Sequence, residues 1–274
     1  MTAVLAPATT LTTFSGGTGV RVTQARVLLS EWTKFRSLRS TVSTLLVAFV
    51  LMIGLGAMFA AITASQTTGF EPGATAISTS LTGTFFAQIA VGVLGVLLIS
   101  GEYSTGMIRS SLTVVPSRLP MLWGKLAVFA STVFITMLAA SFTSFLVGQA
   151  LLGDQLRASL SDPGALRSVL GAALYLTVAG LTAIALGALL RNTAAAITTF
   201  VAVFFVIPPL TNLLPTSLTD HFVQFLPSNA GAVLLDGTYG VANALAPWPG
   251  FAVMCGYALV LIGCAAWRLR RADA

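Results

Sequence analysis

Residues 42 to 64 read VSTLLVAFVLMIGLGAMFAAITA, an apolar block without a single formal charge. A helix of about 20 such residues crosses the ~30 Å hydrocarbon core of a bilayer. A membrane barrel is excluded, because its strands would alternate in polarity over about ten residues. Five further blocks share these properties, at about 82–100, 126–152, 169–190, 194–214 and 250–267. The sequence therefore predicts an all-α membrane protein whose six transmembrane helices form one domain over residues 42–268.

The composition agrees with a membrane protein, since 56% of the residues are hydrophobic and only 8% are charged. In soluble domains about a quarter of the residues are charged. The net charge of +6 does not indicate nucleic-acid binding, because the basic residues flank the apolar blocks and form no stripe.

The basic residues also predict the orientation. Of the 14 Lys and Arg residues, 12 fall on the same side of the six blocks as the two termini. The two exceptions are Arg157 and Arg167. The positive-inside rule places that side in the cytoplasm. We therefore expect a multi-pass protein of a bacterial cytoplasmic membrane with both ends inside, including a flexible cytoplasmic tail over residues 1–20 and a cytoplasmic tail over residues 269–274.

Residues 21–41 predict an amphipathic helix at the inner membrane interface. Its apolar residues, among them Trp32 and Phe35, recur at steps of three and four. The charged residues Arg26, Glu31, Lys34 and Arg36 are assigned to the other faces. The helix is either a passive lipid anchor or a lever that also contacts a cytoplasmic partner.

The loop between the second and third blocks reads GEYSTGMIRSSLTVVPSRLPMLWGK, residues 101–125. Glu102 stands at the membrane edge, where a carboxylate requires a basic or amide partner. A short helix bearing Met107, Ile108 and Arg109 suits a groove on another protein. An ordinary loop is the alternative.

Two of these motifs resemble a known family. SEWTKFRSLRST at residues 30–41 and GEYSTGMIRSSLTVVPSR at residues 101–118 are similar to the type-2 permeases of bacterial ATP-binding cassette (ABC) exporters, with actinobacterial members closest in style. The resemblance implies a permease homodimer, or a pair with a related permease, docked on separate ATPase subunits that bind ATP and Mg²⁺. It makes residues 21–40 a connecting helix and implies that Glu102 pairs with a basic residue of that helix. The residues implied to couple to the ATPase are Glu102, Tyr103, Thr105, Gly106, Met107, Ile108 and Arg109.

The chain itself shows no nucleotide or catalytic motif. Gly124 and Lys125 are followed by Leu126, so the P-loop pattern is absent, and we expect no enzymatic activity. His221 lacks the neighbouring ligands of a metal site, so no cofactor is expected in this chain.

The fifth block ends in Pro208 and Pro209, which predict a kink or unwinding near the outer face. The apolar stretch that follows predicts a re-entrant or interfacial hairpin before the last span. In the fourth block, Ala179, Ala183 and Gly187 form a small-residue stripe for close packing, either within the subunit or across a dimer.

Uncharged spans suit an amphiphilic or hydrophobic cargo such as a drug, a lipid or a peptide. Secondary transport without ATP, or a membrane immunity or scaffold role, remains the alternative. Secondary transport is weakened by the lack of ionisable residues within the blocks. The side chains expected on a cargo path, which packing against neighbours or lipid would explain equally well, are Phe85, Phe86, Gln88, Phe142, Phe145, Phe204 and Phe205.

Overall fold

The computed structural model describes residues 24–65, 74–104, 118–153, 156–215, 222–235 and 243–271. Within these ranges the chain forms helices joined by turns and contains no β-strand. The α-helices are α1 (Gln24–Ser37), α2 (Arg39–Ser65), α3 (Ala74–Ser80), α4 (Gly83–Ser104), α5 (Arg118–Leu152), α6 (Ala165–Leu190), α7 (Thr193–Val201), α8 (Ile207–Leu210), α9 (Pro227–Ala232) and α10 (Pro247–Arg271). A π-helical turn covers Ala202–Val206, and 3-10 turns cover Thr211–Leu213, Val223–Phe225 and Val233–Leu235.

Six segments of the described chain are long and apolar enough to cross a membrane. This confirms the predicted all-α fold with six transmembrane helices. The segments are span 1 (Arg39–Ser65), span 2 (Ala76–Gly101), span 3 (Leu119–Leu152), span 4 (Ala165–Leu190), span 5 (Thr193–Leu210) and span 6 (Pro247–Arg271).

One end of the bundle collects the basic side chains Arg39, Lys125, Arg191 and Arg268, and we call it the basic end. The Arg268 guanidinium donates a hydrogen bond to the Leu189 carbonyl there, which joins the last turns of spans 4 and 6. Helix α5 has 35 residues, so it is about 52 Å long and extends beyond a hydrocarbon core of ~30 Å. Lys125, seven residues from its start, therefore has room to lie outside the apolar layer.

Span 4 is the central helix. It packs against spans 2, 3, 5 and 6, and 78% of its most apolar window is buried. Small residues allow this close approach: a Cβ on Gly180 would lie 2.6 Å from the Phe129 ring of span 3. The stripe of Ala179, Ala183 and Gly187 is buried inside the subunit, as the intramolecular alternative expected.

Span 2 is interrupted between Ser80 and Gly83, and span 3 supplies the polar groups that this break needs. The Ser144 hydroxyl lies 2.7 Å from the Ser80 carbonyl oxygen and 3.1 Å from the Met52 carbonyl oxygen. Gln149 Nε2 donates to the Ala76 carbonyl and to Ser80 Oγ, at 3.1 and 3.0 Å. The buried break therefore keeps its hydrogen bonds, as a membrane interior requires.

Span 5 departs from regular helix one turn before its two prolines. The π-helical turn precedes α8, which contains Pro208 and Pro209 and continues into a 3-10 turn. Two consecutive residues without an N–H remove two donors from the helical ladder, and the π-helical turn accommodates the change. Beyond span 5, α9 and the turn Val233–Leu235 are buried against spans 4 and 6. The membrane depth of this hairpin stays a prediction.

Candidate functional site

A buried ion pair fastens helix α1 to span 3 at the basic end. Lys125 Nζ donates to Glu31 Oε2 at 2.9 Å, and Lys34 Nζ donates to Glu31 Oε1 at 3.1 Å. Glu31 is 5% exposed and Lys125 is 3% exposed. The carboxylate therefore has a cation on each oxygen, the arrangement in which a buried charge is tolerated.

Packing around the ion pair is close. Val27 and Phe35 lie one turn before and one turn after Glu31, and both are buried. A Cβ on Gly124 would lie 3.0 Å from Val27 Cγ1, so a glycine at this position brings α1 onto span 3. The Phe35 ring meets the Phe129 ring edge-to-face at 6.5 Å. Polar and apolar contacts thus act on the same face of α1.

The electrostatics keep Glu31 ionised. Burial alone raises the pKa of the Glu31 carboxyl, but the charges and hydrogen bonds of Lys125 and then Lys34 outweigh that effect. The pKa of Glu31 consequently lies below its ordinary value. At neutral pH the carboxylate is charged and both ammonium groups are held against it.

The structure corrects one part of the amphipathic helix predicted over residues 21–41. That prediction placed Glu31 on a polar face, but the side chain is buried. Helix α1 has three faces. Val27, Glu31 and Phe35 face the bundle, while Leu29 and Trp32 form an exposed apolar face, 66% and 44% exposed. The exposed polar face carries Arg26, Ser30, Thr33 and Ser37, and Arg36 is exposed beside the apolar face. Polarity alone misplaced Glu31, because its partner Lys125 lies 94 residues away.

A cleft of about 510 Å³ opens beside the ion pair, between α1, the end of span 2 and the start of span 3. Its wall includes Lys34, Leu97, Gly101 and Lys125. Gly101 is where the predicted coupling loop begins. Glu102 and Tyr103 lie in the last turn of α4, and only their backbone is described. The other predicted coupling residues, Thr105, Gly106, Met107, Ile108 and Arg109, lie outside the described residues, so the coupling role and the pairing of Glu102 stay predictions.

A second cavity, of about 260 Å³, lies toward the opposite end, between spans 2, 4 and 5 and α9. Four of the seven predicted cargo-path residues line it: Phe85, Gln88, Phe204 and Phe205. The Phe85 and Phe205 rings meet edge-to-face with centroids 4.8 Å apart. The cavity brings these residues from spans 2 and 5 together, while their contact with cargo stays a prediction.

The other three predicted residues do not line this cavity. Phe145 is 2% exposed in the core, and Phe142 packs partly buried against that core. Phe86 instead lies edge-to-face against Phe85, at 5.5 Å between centroids. Sequence alone had no means to separate these rings from the lining ones.

Five polar lining residues were not predicted: Thr84, Tyr175, Thr211, Ser228 and Asn229. Thr84 and Gln88 are four residues apart on one face of span 2, which was a usable signal. Tyr175 Oη donates to Gln88 Oε1 at 3.0 Å from span 4. Asn229 Nδ2 donates to the Val223 carbonyl at 3.0 Å and closes the hairpin around α9.

His221 lies outside the described residues, so its surroundings are not assigned. Among the residues that the structure describes, no three His, Cys, Asp or Glu side chains come together as a metal site would require.

Comparison with protein families finds a match. A model described as "ABC-2 family transporter protein" covers residues 27–209, which include Glu31, Lys125 and spans 1 to 5 up to Pro209. Comparison with curated proteins finds no match. The matched region contains both lysines that hold Glu31 and the span 2, 4 and 5 walls of the cavity.

Proposed function

The chain belongs to the ABC-2 family of transporter proteins, and from this membership we propose that it is the membrane-spanning permease subunit of an ATP-driven ABC exporter. In this proposal it lies in a bacterial cytoplasmic membrane with both ends inside. It moves an amphiphilic or hydrophobic cargo outward by coupling to a separate ATPase subunit.

The observation that carries the coupling is the buried contact of Glu31 with Lys125. Residues 105–117 connect span 2 to α5, and Lys125 lies on the first turns of α5. A displacement of this loop by a partner is transmitted along α5. The ion pair then makes α1 follow, because separating two buried charges costs several kcal/mol. Discrete helix movements of this kind are how packed interfaces transmit a signal.

The exposed faces of α1 supply the second support. Leu29 and Trp32 suit the lipid interface, where tryptophan is enriched, and Arg26 suits anionic headgroups. Fixed to span 3 on one side and in contact with lipid on another, α1 acts as the connecting helix of the proposal. It is a lever as well as an anchor.

ATP and Mg²⁺ belong to the partner ATPase in this proposal, since this chain carries no P-loop. Two permease copies, each docked on one ATPase, give the symmetric closed assembly that most homo-oligomers adopt. Closure of the ATPases around ATP drives both coupling loops together, and the loops carry that motion into the spans.

The test is reconstitution with a candidate ABC ATPase, identified as a neighbouring gene with P-loop and signature motifs. We expect the two to co-purify, and we expect a panel of lipids, antibiotics and peptides to contain compounds that stimulate ATP hydrolysis. Met107→Glu combined with Ile108→Glu should abolish that stimulation, and Glu102→Ala should reduce it. Leu213→Glu is the matched control, because Leu213 is 80% exposed at the opposite end.

Two results contradict the proposal. Normal transport in the double variant and in Glu102→Ala would remove the coupling assignment. Transport that persists without the ATPase and stops when a proton or sodium gradient is collapsed would establish a secondary transporter instead.

A further inference from the structure

We propose that the cavity between spans 2, 4 and 5 and α9 binds the neutral, hydrogen-bond-accepting polar group of an amphiphile through Gln88, Thr84 and Ser228. The apolar part of the ligand lies against Phe85, Phe204 and Phe205. This inference deepens the proposed function, on which it rests, by assigning a binding site and a chemical class to the cargo.

The inference begins with three polar atoms that have no partner within the part of the chain that the structure describes. They are Gln88 Nε2, Thr84 Oγ1 and Ser228 Oγ, and all three residues line the cavity. Gln88 is 1% exposed, Thr84 2% and Ser228 7%, so all three are buried. Leaving a buried donor unpaired is energetically costly, which marks the group as a candidate for function.

Several other buried polar groups of the bundle find partners, although the Ser168 hydroxyl, outside the cavity lining, has none among the described residues. Gln149, the second buried glutamine, donates to two partners and accepts a 2.7 Å hydrogen bond from the Ala158 N–H. The Thr182 hydroxyl donates to the Val178 carbonyl of its own helix at 2.9 Å. Three of the unpaired buried atoms thus lie together at the cavity.

The donor inventory selects the ligand chemistry. Gln88 Oε1 already accepts from Tyr175, which leaves the two N–H donors of Nε2. These donors require an acceptor such as an amide, ester or hydroxyl oxygen. Among the residues that the structure describes, the cavity lining contains no Asp, Glu, Lys, Arg or His, so a charged headgroup would lose its hydration without gaining a counter-charge from them.

The aromatic wall selects the rest of the ligand. Phe204 and Phe205 lie within the π-helical turn of span 5, and Phe85 of span 2 packs against Phe205. Such turns occur often at functional sites because they redirect side chains. At about 260 Å³ the cavity accepts a polar group with the first part of its chain. Because residues of spans 2, 4 and 5 line the cavity, a relative movement of these spans changes how well the ligand is bound.

The test measures binding directly, on the full chain in lipid nanodiscs without nucleotide. The probe is an N-decylacetamide carrying a diazirine on its alkyl chain, and its labelling sites are mapped by mass spectrometry. Matched probes replace the acetamide by a trimethylammonium or a carboxylate group. The variants are Gln88→Leu, Thr84→Val and Ser228→Ala, and the control is Thr182→Val, whose hydroxyl is satisfied within its own helix.

We expect the acetamide probe to label peptides that contain Phe85, Phe204 or Phe205, and to label them more strongly than either charged probe does. Each cavity variant should weaken labelling roughly three- to tenfold, the effect of one lost hydrogen bond, while Thr182→Val leaves it unchanged. Elution as a single species verifies folding. Should Gln88→Leu fail to fold, Thr84→Val and Ser228→Ala still decide the matter.

Equal labelling in all variants, or equal labelling by the trimethylammonium probe, would overturn the site. ATPase stimulation is measured separately on the reconstituted complex. Specific labelling without any ATPase coupling supports the site and rejects the proposed function, and coupling without specific labelling rejects the site alone.

Discussion

Lys125 Nζ lies 2.9 Å from Glu31 Oε2, a contact between span 3 and helix α1 that joins residues 94 positions apart in sequence. The second oxygen of the carboxylate lies 3.1 Å from Lys34 Nζ of its own helix. The two lysines differ in environment, because the Lys125 side chain is 3% exposed and that of Lys34 is 33% exposed. The inter-helix contact is therefore the one with structural consequences.

Glu31→Gln should lower the free energy of unfolding by about 3 kcal/mol, because it removes the charge that compensates buried Lys125. Lys34→Gln is the control and should cost less than about 1 kcal/mol, since that pair is partly exposed and lies within one helix. The measurement is the apparent melting temperature in detergent. Equal losses of stability in the two variants would contradict the conclusion that the contact with Lys125 contributes more stability than the contact with Lys34.

The ion pair also predicts a pH dependence. The pKa of Glu31 is lowered from its ordinary value of 4.5, so the folded chain binds fewer protons than the unfolded chain as the pH approaches that value from above. The stabilisation is complete above pH 4.5 and is lost as the pH falls through the lower folded pKa. The melting difference between wild type and Glu31→Gln should therefore be constant from pH 7 to 5 and shrink in more acidic buffer. A difference that grows on acidification would be inconsistent with a depressed pKa.

Span number was predictable from the sequence because the bilayer imposes a length and excludes charge. The break in span 2 was not. It depends on Ser144 and Gln149 of span 3, which supply hydrogen bonds to Ser80 and Ala76. No local signal in span 2 identifies those partners, so the predicted block of residues 82–100 left out the helical residues 76–80 that precede the break.

The candidate sites divide in the same way. The periodicity of apolar residues predicted helix α1, and the polarity of Glu31 led to its assignment to an exposed face. Only the tertiary contact with Lys125 shows that the Glu31 side chain faces the bundle. Aromatic composition proposed Phe85 and Phe145 alike, although one lines the cavity and the other lies in the core. The packing of the helices decides whether a ring lines the cavity or lies in the core. That packing depends on residues of several spans, so it cannot be read from one block.

The crossing of span 1 with the span 2 break should be intolerant of side chains. A Cβ on Gly56 would fall on Ser144 Oγ and on the Ser80 carbonyl oxygen. Gly56→Ala should therefore destabilise the chain by about 1–3 kcal/mol, the usual cost of overpacking. Gly54→Ala is the matched control on the same helix, because nothing lies within 4 Å of its Cβ. It should be neutral or stabilising by up to about 1 kcal/mol. A loss of the same size in both variants would argue against close packing at Gly56.

The two buried glutamines offer a contrast between a satisfied and an unsatisfied amide. Gln149→Leu leaves the Ala158 N–H without its partner, removes one of the donors to the Ala76 carbonyl, and should cost about 2 kcal/mol. Gln88→Leu loses one bond from Tyr175 but removes the unpaired Nε2, so its net cost should be smaller or absent. Melting temperatures of the two variants in one detergent test this order. A larger loss for Gln88→Leu would mean that its amide is satisfied in the folded protein.

Arg191 ends span 4 with left-handed backbone angles, φ 54° and ψ 16°, and its N–H donates to the Gly187 carbonyl at 3.0 Å. A side chain in this conformation costs about 1–2 kcal/mol that glycine avoids. Arg191→Gly should therefore melt higher than Arg191→Ala by the equivalent of about 1 kcal/mol, because both remove the guanidinium and only one removes the strain. Comparing the two variants with each other isolates the backbone from the contacts of the arginine side chain. If alanine matched glycine, the turn into span 5 would have relaxed out of the left-handed region. The cap that Asn192 Oδ1 forms with the Ala195 N–H, 3.0 Å in length, would then be expected to weaken as well.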